Sequence, residues 1–211
     1  LDATVYVGGG NVEITSNVQM LEVMVAGGTL TIRPGVEVKG FSDAALIITR
    51  GSKLIANGSA TSPITFSSID PDYSSMGEWG GVVIQGFAPQ YGQGGTGACF
   101  AAGENFCNVL GEGGGFRYGG NLPADDSGIL RYVRIAEGGF IVGPNDEING
   151  LTLQGVGHGT VIEYVQVHAN LDDGIEWFGG TANVKYALLT HNYDDDIDFD
   201  EGYQGNIQYA L

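Results

Sequence analysis

Basic residues are scarce in this sequence. Lysine and arginine total 8 against 25 aspartates and glutamates, a formal net charge of −17. The lack of a basic footprint argues against nucleic acid and anionic membranes as partners. The balance favours cations, basic partners or solubility alone. Long apolar runs are missing as well. No stretch approaches the ~18 residues that mark a spanning helix, so no transmembrane segment is expected. No signal peptide is visible, and the chain starts at Leu1 rather than Met, which reads as processed or excised. Three histidines, His158, His168 and His191, are scattered without the H-x₃₋₅-H spacing of a zinc site. Helical periodicity is almost absent. Only two cysteines occur, Cys99 and Cys107, in a glycine-rich stretch. An even pair in a loop points to a local disulfide and an oxidising compartment, with two free thiols as the alternative.

What remains is short β-rich runs punctuated by glycine, 37 of 211 residues, with no Gly-X-Y period that would make collagen. Apolar residues at 43% suffice for a core, and the length fits one domain, 1–211. The runs repeat. NGLTLQG (149–155), DGIEWFG (173–179) and DDIDFDE (195–201) align, and GVVIQG (81–86) fits the same template. A second set, ILRYVRI (129–135), VIEYVQV (161–167), NVKYALL (183–189) and NIQYAL (206–211), aligns separately. Tyr164 to Tyr186 and Ile175 to Ile197 are both 22 residues. Two strand families in phase at one spacing predict stacked coils. Alternation within each strand then places the apolar and tyrosine columns inside, Tyr132, Tyr164, Tyr186 and Tyr209 included. Ile197 and Phe199 are expected in the core beneath Ile175 and Trp177. Arg131, Glu163, Lys185 and Gln208 form an outward column whose signs alternate, which supports the register.

Coils of about 22 residues with inward aliphatic ladders predict an all-β, right-handed parallel β-helix. Residues 1–27 read as an N-terminal cap or an exchanged strand, because both ends of a solenoid need covering. The chain stops within NIQYAL, which reads either as truncation or as an open end for self-association into filaments. Residues 87–127 interrupt the repeat as a long glycine-rich insertion. Its aromatics include Tyr91, Phe100, Phe106, Phe116 and Tyr118. They either offer stacking faces to a ligand or cover the solenoid's side.

Near the end, YDDDIDFDEG (193–202) follows LDDGIEWFGG (171–180) by one coil. That register stacks carboxylates. Two unit charges at rung spacing repel by roughly 1 kcal/mol in water and more where desolvated. A hard divalent cation removes the penalty, and Ca²⁺ takes six to eight oxygens. Asp172, Asp173, Glu176, Asp194, Asp195, Asp196 and Asp198 are therefore the candidate Ca²⁺ ligands. A solvated acidic ridge is the competing account, since no EF-hand or nonapeptide calcium array is present.

The order of WGG-V-I-G-AP, GILRYVRI, NEINGLTLQGVG, GTVIEYVQV, DDGIEWFGGT and NVKYALL resembles a group of bacterial surface or secreted β-helix proteins. They are known mostly as lipoproteins or hypothetical proteins. The resemblance implies the fold and an extracellular or cell-surface location, and no established activity. The usual lipobox cysteine is not in this chain. Polygalacturonases share the fold and carry N-T-D, an aspartate pair, G-H-G and R-I-K. Here Asp125–Asp126, Gly157-His158-Gly159 and Lys185 follow in that order, but N-T-D is missing and V-K-Y stands where R-I-K would. The expected function is structural or adhesive and non-enzymatic, with an acidic face holding Ca²⁺. The alternative is a polysaccharide-binding or polysaccharide-cleaving module.

Overall fold

The computed structural model describes residues 4–20, 22–91, 109–113, 116–143 and 146–211. Cys99, Cys107, Phe100 and Phe106 lie outside these residues. Among the described residues every regular element is a strand. In chain order they begin with β1 Thr4–Gly8, β2 Asn11–Ile14, β3 Val18–Met20, β4 Glu22–Ala26, β5 Thr29–Ile32, β6 Glu37–Gly40 and β7 Leu46–Ile48. Next come β8 Lys53–Asn57, β9 Ile64–Ser68, β10 Val82–Gln85, β11 Val109–Leu110, β12 Arg117–Tyr118, β13 Gly128–Ala136 and β14 Ile141–Gly143. The last are β15 Asp146–Glu147, β16 Leu151–Gln154, β17 Val161–His168, β18 Ile175–Phe178, β19 Asn183–Thr190, β20 Ile197–Asp200 and β21 Ile207–Ala210.

One sheet runs β1-β4-β7-β10-β16-β18-β20, so each neighbour is the next coil of the chain. The other runs β2-β5-β8-β13-β17-β19-β21, with β3, β6 and β9 alongside it. Among the described residues the strands of successive coils pair in parallel, while the small hairpins β11–β12 and β14–β15 are antiparallel. This is the right-handed parallel β-helix that the repeats predict. The 22-residue register holds, with Ile175 opposite Ile197 and Glu163 opposite Lys185. Between the sheets lies one apolar column after another. Ile48, Ile84, Leu153 and Trp177 stack in register and are all buried. Each such side chain contributes roughly 1.5–3 kcal/mol through burial. Within the N-terminal stretch, β1, β2 and β3 pair in parallel with β4, β5 and β6.

The tyrosine column departs from simple alternation. Tyr132, Tyr164, Tyr186 and Tyr209 do not point inward. Each has a positive φ, between 50° and 61°. One left-handed residue bends the strand at that point, so Arg131 and Tyr132 both face out before Val133 turns in again. Tyr164 is 40% exposed. The rings stack instead on one another, with centroids 4.5, 4.4 and 5.1 Å apart along the corner. A left-handed backbone costs an L-residue about 1–2 kcal/mol. An aromatic pair returns about 0.5–1.5 kcal/mol, so the stack offsets much of the strain. Beside it, Arg131 Nη2 donates to Glu163 Oε2 at 2.9 Å. Lys185 turns over the rings of Tyr186 and Tyr209, at 5.1 and 5.6 Å, rather than onto Glu163.

Phe199 is the second departure. It sits opposite Trp177 in register, yet is 60% exposed. β20 is the outermost strand of its sheet, so its inward face is covered from one side only. Tyr203 packs between Trp177 and Phe199, while Ile197 rests against the core as expected.

Candidate functional site

Two equivalent turns, 169–174 and 191–196, carry the chain from β17 to β18 and from β19 to β20. Ala169 and His191 open them with positive φ. Backbone bonds then tie one turn to the other. Gly174 N donates to Asp195 O at 2.8 Å, and Tyr193 N to Asn170 O at 2.9 Å. Gly174 is required here, because a Cβ would lie 2.7 Å from Asp196 O. The side chain of Asp173 joins the ladder by accepting from Asp195 N at 2.9 Å. Asn149 occupies the same place one coil earlier and accepts from Asp173 N at 3.2 Å.

Carboxylates converge on this ladder in two overlapping groups. Oxygens of Asp172, Asp173 and Asp194 lie within 4.8 Å of one another, as do those of Asp173, Glu176 and Asp198. Asp173 belongs to both. Asp195 and Asp196 stay outside these groups: Asp195 contributes its N–H, and Asp196 Oδ1 accepts from Asn192 Nδ2 at 2.8 Å. None of these carboxylates forms an ion pair with a described Lys or Arg.

The inner group is deep for its charge. Asp173 and Glu176 are each only 8% exposed. Burial raises the Asp173 carboxyl to about 7, with the charges of Asp172, Asp198 and Asp194 adding to it against the Asp195 N–H. Burial raises Glu176 further, to about 9, helped by Glu112 and Asp173 and opposed by the bond from Asn149 Nδ2. Asp172 is also raised, first by burial and then by Glu147 and Asp194. Three acids thus share a site that resists their ionisation.

A neighbouring polar atom is left over. Thr152 stands in register with Glu176, which stands in register with Asp198. Thr152 is 1% exposed, and its Oγ1 has no hydrogen-bond partner. Buried hydroxyls normally find one. A bound cation would be coordinated by the Asp173, Glu176 and Asp198 carboxylates, with the Thr152 hydroxyl beside them. That all-oxygen donor set fits a hard cation such as Ca²⁺ and gives a soft metal nothing.

The insertion roofs this face. Phe116 packs on Ala45, Ile47, Val83 and Ile148, outside the main core. Gln154 Nε2 donates to Glu112 O at 3.0 Å and Gln85 Nε2 to Phe116 O at 3.0 Å. Tyr118 is 1% exposed, and its hydroxyl donates to Glu201. Tyr91 N donates to Glu201 O, and its ring lies against Gly202. Tyr91, Phe116 and Tyr118 therefore cover the solenoid's side. Sequence reasoning missed Glu112 and Asn149. Asn149 was findable, because Asn149-Gly150 aligns with Asp173-Gly174.

Asp125–Asp126 does meet Gly157-His158-Gly159, at a different corner from the acidic turns. A Cβ on Gly157 would lie 2.4 Å from Asp125 N. Asp126 is ion-paired with Lys53, while Asp125 accepts from Ser127 Oγ at 3.2 Å and has its carboxyl raised, mainly by burial. His158 Nδ1 is 3.4 Å from Thr181 Oγ1. Lys185 sits on the tyrosine corner. His168 and His191 stack at 5.9 Å, and His168 Nδ1 is 2.8 Å from Thr190 Oγ1.

No helix of the described residues is long and apolar enough to cross a membrane. No curated protein and no solved structure matches the chain. A family profile described as a pectate-lyase like beta helix domain matches residues 11–211, nearly the whole chain. Parallel coils in 22-residue register and a family match of that length lead to one assignment: the chain belongs to the pectate-lyase-like beta helix domain family.

Proposed function

We propose that this domain is a non-catalytic structural or adhesive β-helix of a bacterial surface or secreted protein, and that its acidic turns hold Ca²⁺. The observation that carries the reading is the convergence of Asp173, Glu176 and Asp198 within 4.8 Å, two of them buried, without an ion-paired Lys or Arg among the described residues. A divalent cation there would cross-link consecutive coils and neutralise repulsion that otherwise weakens the fold. The extracellular setting supplies Ca²⁺ at the concentrations that weak sites need. Isothermal titration of Ca²⁺ into EDTA-stripped protein tests this. Saturable binding, lost in Asp173→Asn with Asp198→Asn, is expected. An absence of binding at millimolar Ca²⁺ removes the reading.

A second reading, cleavage of an acidic polysaccharide, draws on the family match and on one arrangement. Asp125, whose carboxyl is raised by burial, lies beside the ion-paired Asp126 and the His158 loop. A carboxyl raised by burial beside an ion-paired one is an arrangement that general acid–base chemistry uses. New reducing ends or unsaturated products from polygalacturonate, lost in Asp125→Asn, would support it. Inactivity on a panel of uronate polymers would remove it.

A further inference from the structure

The inner carboxylate triangle is short of oxygens for the ion it would hold. Asp173, Glu176 and Asp198 offer their carboxylates, and Thr152 adds one buried hydroxyl without a partner. Ca²⁺ takes six to eight oxygens. Water can complete the outer side of such a shell, but Glu176 is 8% exposed and Thr152 1%, so the inner side has little room for it. The hairpin β11–β12 lies over that side, and it brings a further carboxylate, Glu112.

The residues on either side of Glu112 fix its position. Val83, Thr152, Glu176 and Asp198 stand in register on successive strands of one sheet. Gly113 is buried against the start of that row, where a Cβ would lie 3.4 Å from Val83 Cγ2 and 3.0 Å from Ile148 Cγ1. Gly111 lies on Gln154, two residues along β16 from Thr152, and a Cβ there would run into the Gln154 amide. Between the two glycines, the Glu112 carbonyl accepts from Gln154 Nε2 at 3.0 Å. The Glu112 backbone is thereby pinned over Val83, Thr152 and Gln154, one strand from Glu176. After burial, Glu112 is the charge that most raises the Glu176 carboxyl. Glu112 stands outside the 4.8 Å triangle, as a fourth carboxylate does while nothing neutralises the other three. Its rotatable side chain is long enough to turn in. The base of the hairpin is fastened by other means. Phe116 packs in its own apolar cluster, the Tyr118 hydroxyl donates to Glu201, and Gly119 N donates to Gly86 O at 2.9 Å.

We propose that Glu112 completes the cation site as a fourth carboxylate ligand, so that the ion latches the tip of β11–β12 onto the solenoid and its removal frees the tip. The proposal rests on the calcium reading and adds a third element to it. The ion then ties the insertion to two consecutive coils, and loading of the site controls access to the polar patch of Gln85, Thr152 and Gln154 beneath the hairpin. Latching and affinity are one quantity seen from two sides. The factor by which Glu112 tightens the ion is the factor by which the ion suppresses opening of the tip.

The test pairs isothermal titration of Ca²⁺ with hydrogen exchange of residues 109–118, read by mass spectrometry at pH 8 in saturating Ca²⁺ or in EDTA. Affinity follows the count of charged ligands, so Glu112→Gln should bind Ca²⁺ about tenfold more weakly than the parent. Ca²⁺ should slow exchange of the parent hairpin by a matching factor, about tenfold, and should slow that of Glu112→Gln far less. The EDTA arm separates a ligand from a prop. Glutamine keeps the shape and removes a like charge, so without the ion the variant hairpin should exchange no faster than the parent. A residue that merely holds the tip by its own contacts would make it exchange faster. Glu163→Gln, which removes a carboxylate at the tyrosine corner, is the charge control and should leave affinity and exchange at parent values. Ca²⁺ binding by the parent with no change in hairpin exchange would overturn the proposal and leave the calcium reading standing. Unaltered affinity and response in Glu112→Gln, or faster exchange of that variant in EDTA, would do the same. No Ca²⁺ binding by the parent would overturn both.

Discussion

Glu176 and Asp198 face each other across adjacent coils, and Asp173 completes a triangle of carboxylates with them. Nothing among the described residues neutralises that triangle by ion pairing. Either protons or a cation must make it tolerable. The two solutions differ in their pH dependence.

In EDTA, stability should fall as pH rises. Asp173 and Glu176 have folded values of about 7 and about 9, above the ordinary carboxylate range near 4. The folded state then binds more protons than the unfolded chain between those limits, so the stabilising difference is complete below pH 4. It is lost as pH climbs through about 7 and then about 9. Urea unfolding at pH 5.5, 7.5 and 9.5 should show a steadily falling midpoint. A midpoint that rises over this range would refute it.

Glu176→Gln isolates the charge. The amide keeps the shape and removes the buried carboxylate, so the metal-free protein should gain on the order of 1 kcal/mol at pH 9. Its midpoint should also depend less on pH than that of the parent. A loss of stability with unchanged pH dependence would mean that Glu176 is not the titrating group.

Tyr164 tests the corner. Replacement by Val puts a β-branched residue at φ 54° and removes two ring stacks, which should cost about 2 kcal/mol or more. Asn tolerates the left-handed region and should cost less than Val despite losing the same stacks. Denaturation of the two variants, side by side, gives the comparison. A Val variant as stable as the Asn variant would contradict the bent-strand account.

Glu137 is buried at the start of another turn and holds a neighbouring loop. Its carboxylate accepts from Asp72 N at 2.8 Å, Ser68 Oγ at 3.3 Å and Ser68 N at 3.4 Å, and also from Tyr73 N. Glu137→Ala strands these donors and should cost roughly 3 kcal/mol. Limited proteolysis should then cut within residues 70–76. Unchanged protease resistance would show that the clamp is dispensable.

Much of the fold was legible because stacking repeats itself in the sequence. Ile175–Ile197 and Glu163–Lys185 appear as columns before any coordinate is known, and the structure pairs them. Tyr132, Tyr164, Tyr186 and Tyr209 misled for a physical reason. Strict alternation assumes extended backbone, and a single left-handed residue reverses the side on which a column faces. Glycine or asparagine would have signalled such a bend, whereas tyrosine does not. The acidic group was partly legible. Alignment brings Asp173, Glu176 and Asp198 together, but their depth depends on the insertion, whose docking through Phe116 and Tyr118 has no periodic signature. The unpaired Thr152 hydroxyl can be seen only in three dimensions.

Thermal unfolding with and without Ca²⁺ at pH 8 tests the central claim most directly. A cation linking Asp173, Glu176 and Asp198 predicts a higher melting temperature in millimolar Ca²⁺ than in EDTA. The increase should grow with Ca²⁺ concentration by mass action. It should shrink at pH 5.5, where protons occupy the same oxygens, and vanish in Asp173→Asn/Asp198→Asn. An identical melting temperature in Ca²⁺ and EDTA at pH 8 would contradict the account.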